Sequence, residues 1–171
     1  KPLSGWDQFV NSNDLSLTIS SEGETTSEIP LAKGILSGSF NPLHQGHIGM
    51  GNIGQQILNG DVAYELPIIN ADKPALTELQ VRLRVLQFAD WATVILTKTP
   101  TFSEKATILP QRTFIIGIDT ASRIVEPRFY GGTEENLNKA LSEFQEQDCH
   151  FLVAGRQDGS DFITLSDVNI P

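Results

Sequence analysis

Two histidines in a glycine-containing stretch are the residues best suited to chemistry in this chain. They lie three positions apart and are two of its three histidines, in the run Gly38-Ser39-Phe40-Asn41-Pro42-Leu43-His44-Gln45-Gly46-His47. Imidazole donates hydrogen bonds to phosphate oxygens and, when charged, offsets developing negative charge. Glycine and Asn-Pro permit tight turns and let a ligand come close to the backbone. The stretch therefore indicates a phosphate-binding turn.

The elements expected on either side of this stretch fit that interpretation. A short apolar run over 34–38 predicts a buried strand, and apolar spacing predicts a helix over 47–58, although its glycines weaken the pattern. A helix N-terminus offers unpaired N–H groups and a partial positive charge, which favour a bound phosphate. The backbone N–H groups of residues 38–40 are expected to help hold a nucleotide.

The histidine pair has two alternative roles that stay open. Histidines three apart could bind a metal ion, but no Asp, Glu or Cys cluster accompanies them at ligand spacing. They could also simply cap a turn. The pattern H-x-G-H has only three fixed positions, so its context between strand and helix carries the functional interpretation.

The rest of the chain predicts alternating strands and helices. Apolar, β-branched runs predict further strands over 62–69, 93–96, 114–117, 151–154 and 162–165, and helical spacing predicts helices over 77–90 and 137–144. This order is typical of an α/β fold, a doubly wound, Rossmann-like parallel sheet with helices on both faces. Such sheets bind ligands beyond the carboxyl ends of their strands.

The ten-residue run resembles the signature of the nucleotidyltransferase superfamily with the H-x-G-H motif, the cytidylyltransferase-like enzymes. It is most similar to nicotinamide and nicotinate mononucleotide adenylyltransferases, whose motif reads G-x-F-x-P-x-H-x-G-H. The resemblance implies transfer of AMP from ATP to a mononucleotide phosphate, with release of pyrophosphate, in NAD biosynthesis. It also implies that Mg²⁺ accompanies the ATP and keeps mostly water ligands. It places two residues on the ATP phosphates and five around the nucleotide: His44 and His47, then Gly38, Ser39, Phe40, Asn41 and Gly46.

Three later segments resemble the same family. The run 114–119 is similar to a strand ending in G-x-D, which implies that Gly117 and Asp119 meet the nucleotide and its ribose. The run 151–156 is similar to a later strand, which implies that Gly155 and Arg156 lie near the nucleotide. Lys73 resembles a lysine that contacts a substrate phosphate. Asp119 could instead cap a helix, and the two cations could be plain surface residues.

The aromatic and acceptor-binding parts of such a site are less defined. Phe129 or Tyr130 is the candidate for stacking on a nicotinamide ring, and residues 99–106 are candidates for shaping the acceptor site. The family's last phosphate-binding motif, I-S-S-T-x-x-R, has no counterpart through Pro171. We therefore expect the domain over 31–171 to lack that segment. A transferase that uses CTP or another phosphorylated acceptor, and a nucleotide-binding or sensor domain without turnover, stay as alternatives.

Composition limits the remaining possibilities. The chain has 171 residues, 39% of them hydrophobic, which suits one domain. A net charge of −9 argues against a nucleic-acid surface, and a single Cys excludes a disulfide framework. No apolar stretch is long enough for a membrane span. The single Cys is typical of a reducing, intracellular compartment, so a cytoplasmic location is expected. Residues 1–30 are acidic and predict a solvated linker or the remnant of a neighbouring region, with Trp6, Phe9 and Val10 as an anchor. A homo-oligomer and a further domain in a longer chain stay open.

Overall fold

A seven-stranded sheet is the centre of the computed structural model, which describes residues 2–163. The strands are β1 (Ser16–Ile19), β2 (Thr25–Thr26), β3 (Gly34–Ser37), β4 (Val62–Pro67), β5 (Val94–Thr97), β6 (Thr113–Gly117) and β7 (His150–Ala154), arranged in the order β2-β1-β5-β4-β3-β6-β7. The helices are α1 (Trp6–Asn11), α2 (Gln45–Leu58), α3 (Glu78–Val85), α4 (Phe102–Ile108), α5 (Ile118–Ile124) and α6 (Glu134–Glu146). Short 3₁₀ turns cover Leu86–Phe88 and Pro127–Tyr130.

The predicted Rossmann-like α/β class is confirmed. The five strands β3 to β7 are parallel, and the chain runs outward from β3 through β4 to β5 before it returns to β6 on the other side of β3. The direction of winding therefore reverses between β3 and β6, which is where such sheets bind ligands. One face packs side chains of α1, α2 and α3 in a core with Leu36, Tyr64 and Leu66, while the other packs α4 and α6 against Ile35 and Phe114.

The prediction of a solvated linker over residues 1–30 is wrong. Strand β1 pairs antiparallel with β5, so it covers the edge of the parallel sheet, and β2 pairs with β1. Phe9 and Ile19 are each only 2% exposed, and they belong to the same core cluster as the central strands. The apolar residues of this segment alternate with serine and threonine, as expected for a strand, and their polar neighbours gave the segment the composition of a linker. The anchor predicted at Trp6 and Phe9 packs on the chain's own sheet.

Helix α2 begins at Gln45, two residues before the predicted start, and packs unusually close to the sheet. A Cβ added to Gly51 would overlap the Tyr64 hydroxyl, and one added to Gly54 would overlap Ile115 Cδ1. These glycines therefore permit close helix–sheet contact, which offsets the helix propensity that they cost.

Three smaller differences concern the second half of the fold. Helices α4 and α5 lie in segments for which no helix was predicted. The strand predicted over 162–165 is described only in part, because residues 164–171 are outside the described range. Its described residues, 162 and 163, belong to β9 (Asp161–Ile163), which forms an antiparallel hairpin with β8 (Arg156–Asp158), separate from the main sheet. None of the helices within residues 2–163 combines the length and apolar character that crossing a bilayer requires.

Candidate functional site

Three segments that carry predicted site residues follow three adjacent strands. The loop over 38–44 leaves the carboxyl end of β3, Asp119 lies two residues beyond β6, and Gly155 and Arg156 follow β7. Strand β6 lies between β3 and β7 and pairs in parallel with both. The fold therefore brings these segments to one edge of the sheet, at the point where its winding reverses.

The two histidines build the first turn of α2 together. His44 is the N-cap residue, and its Nδ1 accepts a hydrogen bond from the Gly46 N–H at 3.1 Å. In return, Nδ1 of His47 accepts the N–H of His44 at 3.1 Å. The two rings are stacked, with centroids 3.7 Å apart and planes 23° from parallel. This reciprocal cap is the histidine counterpart of a capping box. The turn-capping role that the sequence left open for the pair is therefore present in the structure.

The cap also determines which nitrogen of each ring remains available to bind a ligand. Because each Nδ1 accepts a backbone N–H, the proton of a neutral ring lies on Nε2, which is then a donor. Neither Nε2 has a hydrogen-bond partner within residues 2–163, and His44 is exposed while His47 is half-buried. Burial, followed by the nearby charge of His44, lowers the pKa of His47 from its ordinary value. The arrangement thus offers two adjacent N–H donors beside a helix N-terminus.

Gly46 is required for this arrangement. A Cβ at this position would lie 2.9 Å from Cε1 of His44 and 3.0 Å from its Nδ1, closer than side chains tolerate. Any other residue would therefore push the His44 ring away from its cap. The glycine of the H-x-G-H pattern has a steric role here, in addition to the ligand approach expected from the sequence.

Phe40 packs against His47 and has no exposed ring surface. Its side chain is fully buried and makes edge-to-face contacts with His47, Tyr64 and Phe88 at centroid distances of 5.1, 5.8 and 5.0 Å. Its φ of 46° lies in the left-handed region, which is costly for a bulky residue and is held here by the surrounding core. Only the backbone of Phe40 is therefore available to a nucleotide.

The expected backbone cradle over residues 38–40 is smaller than predicted. The N–H of Gly38 already donates to the Glu65 carbonyl at 3.1 Å and continues the sheet. A Cβ on Gly38 would lie 2.9 Å from the Phe40 ring, so this glycine makes room for the aromatic side chain. In the described part of the chain the N–H groups of Ser39 and Phe40 have no acceptor, and these two can bind a ligand. Asn41 is exposed and joined to Pro42 by a cis peptide bond.

Two residues that sequence reasoning missed hold this loop in place. Nε2 of Gln87 donates to the Phe40 carbonyl at 2.8 Å, and its Oε1 accepts the Leu43 N–H at 2.8 Å. Arg84 donates to the Ser39 carbonyl at 3.1 Å. One amide side chain thus bridges both ends of the turn. The only signal in the sequence is a polar residue within an apolar run, between Leu86 and Phe88.

Asp119 and Arg156 form the second part of the site. Nε of Arg156 donates to both carboxylate oxygens of Asp119, at 3.1 and 2.8 Å, and the side chains are 45% and 60% exposed for Arg156 and Asp119. Asp119 is the second residue of α5, whose N-cap is Gly117, so Asp119 is not the N-cap that was considered as an alternative. Each carboxylate oxygen keeps lone pairs for further donors, such as two ribose hydroxyls. The space beside Gly117 is open.

Two depressions adjoin these groups. A groove of about 320 Å³ lies between α2 and β7 and has Gly46 on one wall and Gly155 on the other. A cavity of about 300 Å³ is lined by residues 100–103 together with Arg123, Phe129 and Tyr130. The segment expected to shape the acceptor site and the two aromatic residues expected near the nicotinamide ring therefore line the same cavity. Lys73 is exposed on the loop after β4, and no described contact joins it to the histidines or to Asp119.

Similarity to known proteins does not assign this site. Comparisons with protein-family models, curated proteins and solved structures give no match. Within residues 2–163, no three His, Cys, Asp or Glu side chains are grouped as a metal site would require. The geometry of the site itself therefore has to indicate its chemistry.

Proposed function

We propose that the chain is a nucleotidyltransferase that transfers AMP from ATP to the phosphate of a mononucleotide, nicotinamide or nicotinate mononucleotide, and releases pyrophosphate. The observation that supports this proposal best is the stacked histidine pair at the N-terminus of α2. Its two Nε2–H donors have no partner in the described structure, and the pair lies at the switch point of a Rossmann-like sheet. The sequence resemblance suggests the same reaction.

The transfer needs no covalent enzyme intermediate. An oxygen of the acceptor phosphate attacks the α-phosphorus of ATP and forms the new P–O bond, while the bond from that phosphorus to the oxygen bridging to the β-phosphate breaks. The leaving pyrophosphate takes the electron pair. The protein has to align the two phosphates and stabilise charge on the transferring group.

In this proposal each residue has a separate binding role. His47 and His44 donate from Nε2 to the ATP phosphates, and the N–H groups of Ser39 and Phe40 add two further donors. Asp119 accepts hydrogen bonds from the ribose hydroxyls. The cavity beside Phe129 and Tyr130 takes the acceptor base. Mg²⁺ bound to the triphosphate would neutralise part of its charge and would keep mostly water ligands.

A direct assay separates the proposal from its alternatives. The chain is incubated with Mg-ATP and each mononucleotide, and pyrophosphate and dinucleotide are quantified. Dinucleotide formation supports the proposal. Transfer of CMP from CTP, or AMP transfer to another phosphorylated acceptor, would instead support a related transferase. ATP binding without pyrophosphate release from any acceptor would indicate a binding or sensor domain.

A further inference from the structure

A buried ion pair lies under the carboxyl ends of the central strands. Nζ of Lys105, in α4, is 2.7 Å from Oε1 of Glu65, in β4, and the two side chains are 3% and 0% exposed. The hydroxyl of Thr97 donates to the same carboxylate oxygen at 2.5 Å, and Nζ donates to the carbonyl of Thr99 at 2.5 Å. No other buried pair of opposite charges is present in residues 2–163.

Stability alone does not account for this cluster. Three of its buried oxygens, Oε2 of Glu65, Oγ1 of Thr99 and Oγ of Ser37, have no hydrogen-bond partner in the described structure. Buried polar atoms without partners are rare because each has lost its hydration without compensation. Buried ion pairs can often be replaced by apolar residues of similar size without loss of stability. A cluster with this cost, at the ligand-binding edge of the sheet, points to a functional role.

Its contacts lead directly to the histidine loop. Ser37, the last residue of β3, is the register partner of Glu65, and the Glu65 carbonyl accepts the N–H of Gly38, the first residue of that loop. On the other side, Lys105 ties α4 to Thr99, just beyond β5. The pair therefore links the C-terminal parts of β3, β4 and β5.

We propose that Glu65 and Lys105 are positioning residues, which hold the end of β3 where the histidine loop leaves the sheet and thereby set the orientation of the His44 and His47 rings. Neither residue touches a ligand in this role, since both are buried. The inference rests on the proposed function for its kinetic readout only, because ring orientation can be observed without any reaction.

The test removes the pair as a unit. In Glu65→Met/Lys105→Met neither charge is left without its partner, and Lys139→Met/Glu143→Met removes a matched but exposed pair on α6. Imidazole ¹⁵N spectra are simple because the chain has three histidines, and His150, at the start of β7, is an internal reference. We expect the His44 and His47 signals to shift or broaden in the first double variant, with His150 unchanged and the exposed-pair variant like the parent. We also expect kcat to fall by about 10- to 100-fold, as a displacement of about 1 Å produces.

The results distinguish this inference from the proposed function. A folded Glu65→Met/Lys105→Met variant with unchanged His44 and His47 signals would overturn the positioning role, whatever the activity. Altered His44 and His47 signals in the double variant, together with a parent protein that transfers no nucleotide, would support positioning and reject the transferase. If that double variant does not fold, Glu65→Gln/Lys105→Met, which removes both charges and the link to α4 but keeps an acceptor for the Thr97 hydroxyl, is measured in the same way, and unchanged ring signals there would equally overturn the inference.

Discussion

Replacement of His47 by asparagine is expected to separate the two roles of its ring. The Nδ1 atom of His47 closes the cap by accepting the His44 N–H, while Nε2 has no hydrogen-bond partner in the described structure. The Oδ1 atom of asparagine can take the place of Nδ1, but asparagine has no group that reaches the position of Nε2. Alanine removes both groups, because it has neither an acceptor for the His44 N–H nor a donor. The comparison of His47→Asn with His47→Ala therefore isolates the contribution of the cap.

The expected magnitudes follow from these contacts. Loss of a helix cap costs about 1 kcal/mol, which lowers Tm by about 2–4 °C for a chain of this size. Loss of one preorganised donor to a reacting group costs about 10²- to 10³-fold in turnover. We therefore expect His47→Asn to keep a near-parent Tm and lose about 10²- to 10³-fold in kcat. His47→Ala should be less stable by the cap contribution and lose at least as much activity.

Calorimetry and pyrophosphate-release kinetics on both variants check this prediction. The reasoning would be refuted if His47→Asn retained parent turnover, since Nε2 would then have no part in the reaction. It would also be refuted if the two variants lost activity in proportion to their loss of Tm, because a purely structural histidine would produce that correlation.

Three further outcomes are expected. Burial and the neighbouring His44 lower the pKa of His47, so the unfolded chain takes up a proton at higher pH than the folded chain. The contribution of His47 to the free energy of unfolding is therefore complete above pH 6.5, its ordinary pKa, and declines as the pH falls below that value. Urea denaturation over this range should show the decline in the parent and a smaller one in His47→Asn. Phe9→Ala should cost about 3–5 kcal/mol in urea denaturation, whereas Val10→Ala, at a 42% exposed position, should change little; equal effects would contradict the core role of the N-terminal segment. Asp119→Ala should weaken ATP binding about tenfold or more by calorimetry, because hydrogen bonds to a charged group contribute about 1.5–3 kcal/mol, and unchanged affinity would exclude a ribose contact.

The sheet was predictable because its central strands are buried on both faces. Such strands are continuous apolar, β-branched runs, and β4 to β7 each overlap a segment predicted as a strand, with ends that differ by at most two residues. The N-terminal segment was not predicted because β1 is near the edge of the sheet. Leu17 and Ile19 there are separated by a threonine, and the segment's acidic and hydroxyl residues dominate its composition. Local composition could not show that Phe9 has a partner surface about 90 residues away, where Lys98 contacts its carbonyl and ring.

The position of the candidate site was predictable from the sequence, but the residues that hold it in place were not. The histidines were found from their spacing and from the strand that precedes them. The ring of Phe40 could not be assigned to the core from sequence, because its burial follows from a left-handed backbone and from contacts with α2 and β4. Gln87 and Lys105 act across long sequence separations. Glu65 did carry a signal, since a charge within the apolar run of a central strand requires a buried partner.

The most direct test of nucleotide binding by the histidine pair is a crystal structure of the chain with Mg²⁺ and a non-hydrolysable ATP analogue. We predict that phosphate oxygens lie within hydrogen-bond distance of Nε2 in both His44 and His47, with each Nδ1 still capping the first turn of α2. A nucleotide bound elsewhere on the protein, or bound at this edge of the sheet with both rings turned away from its phosphates, would contradict the proposed role of the pair.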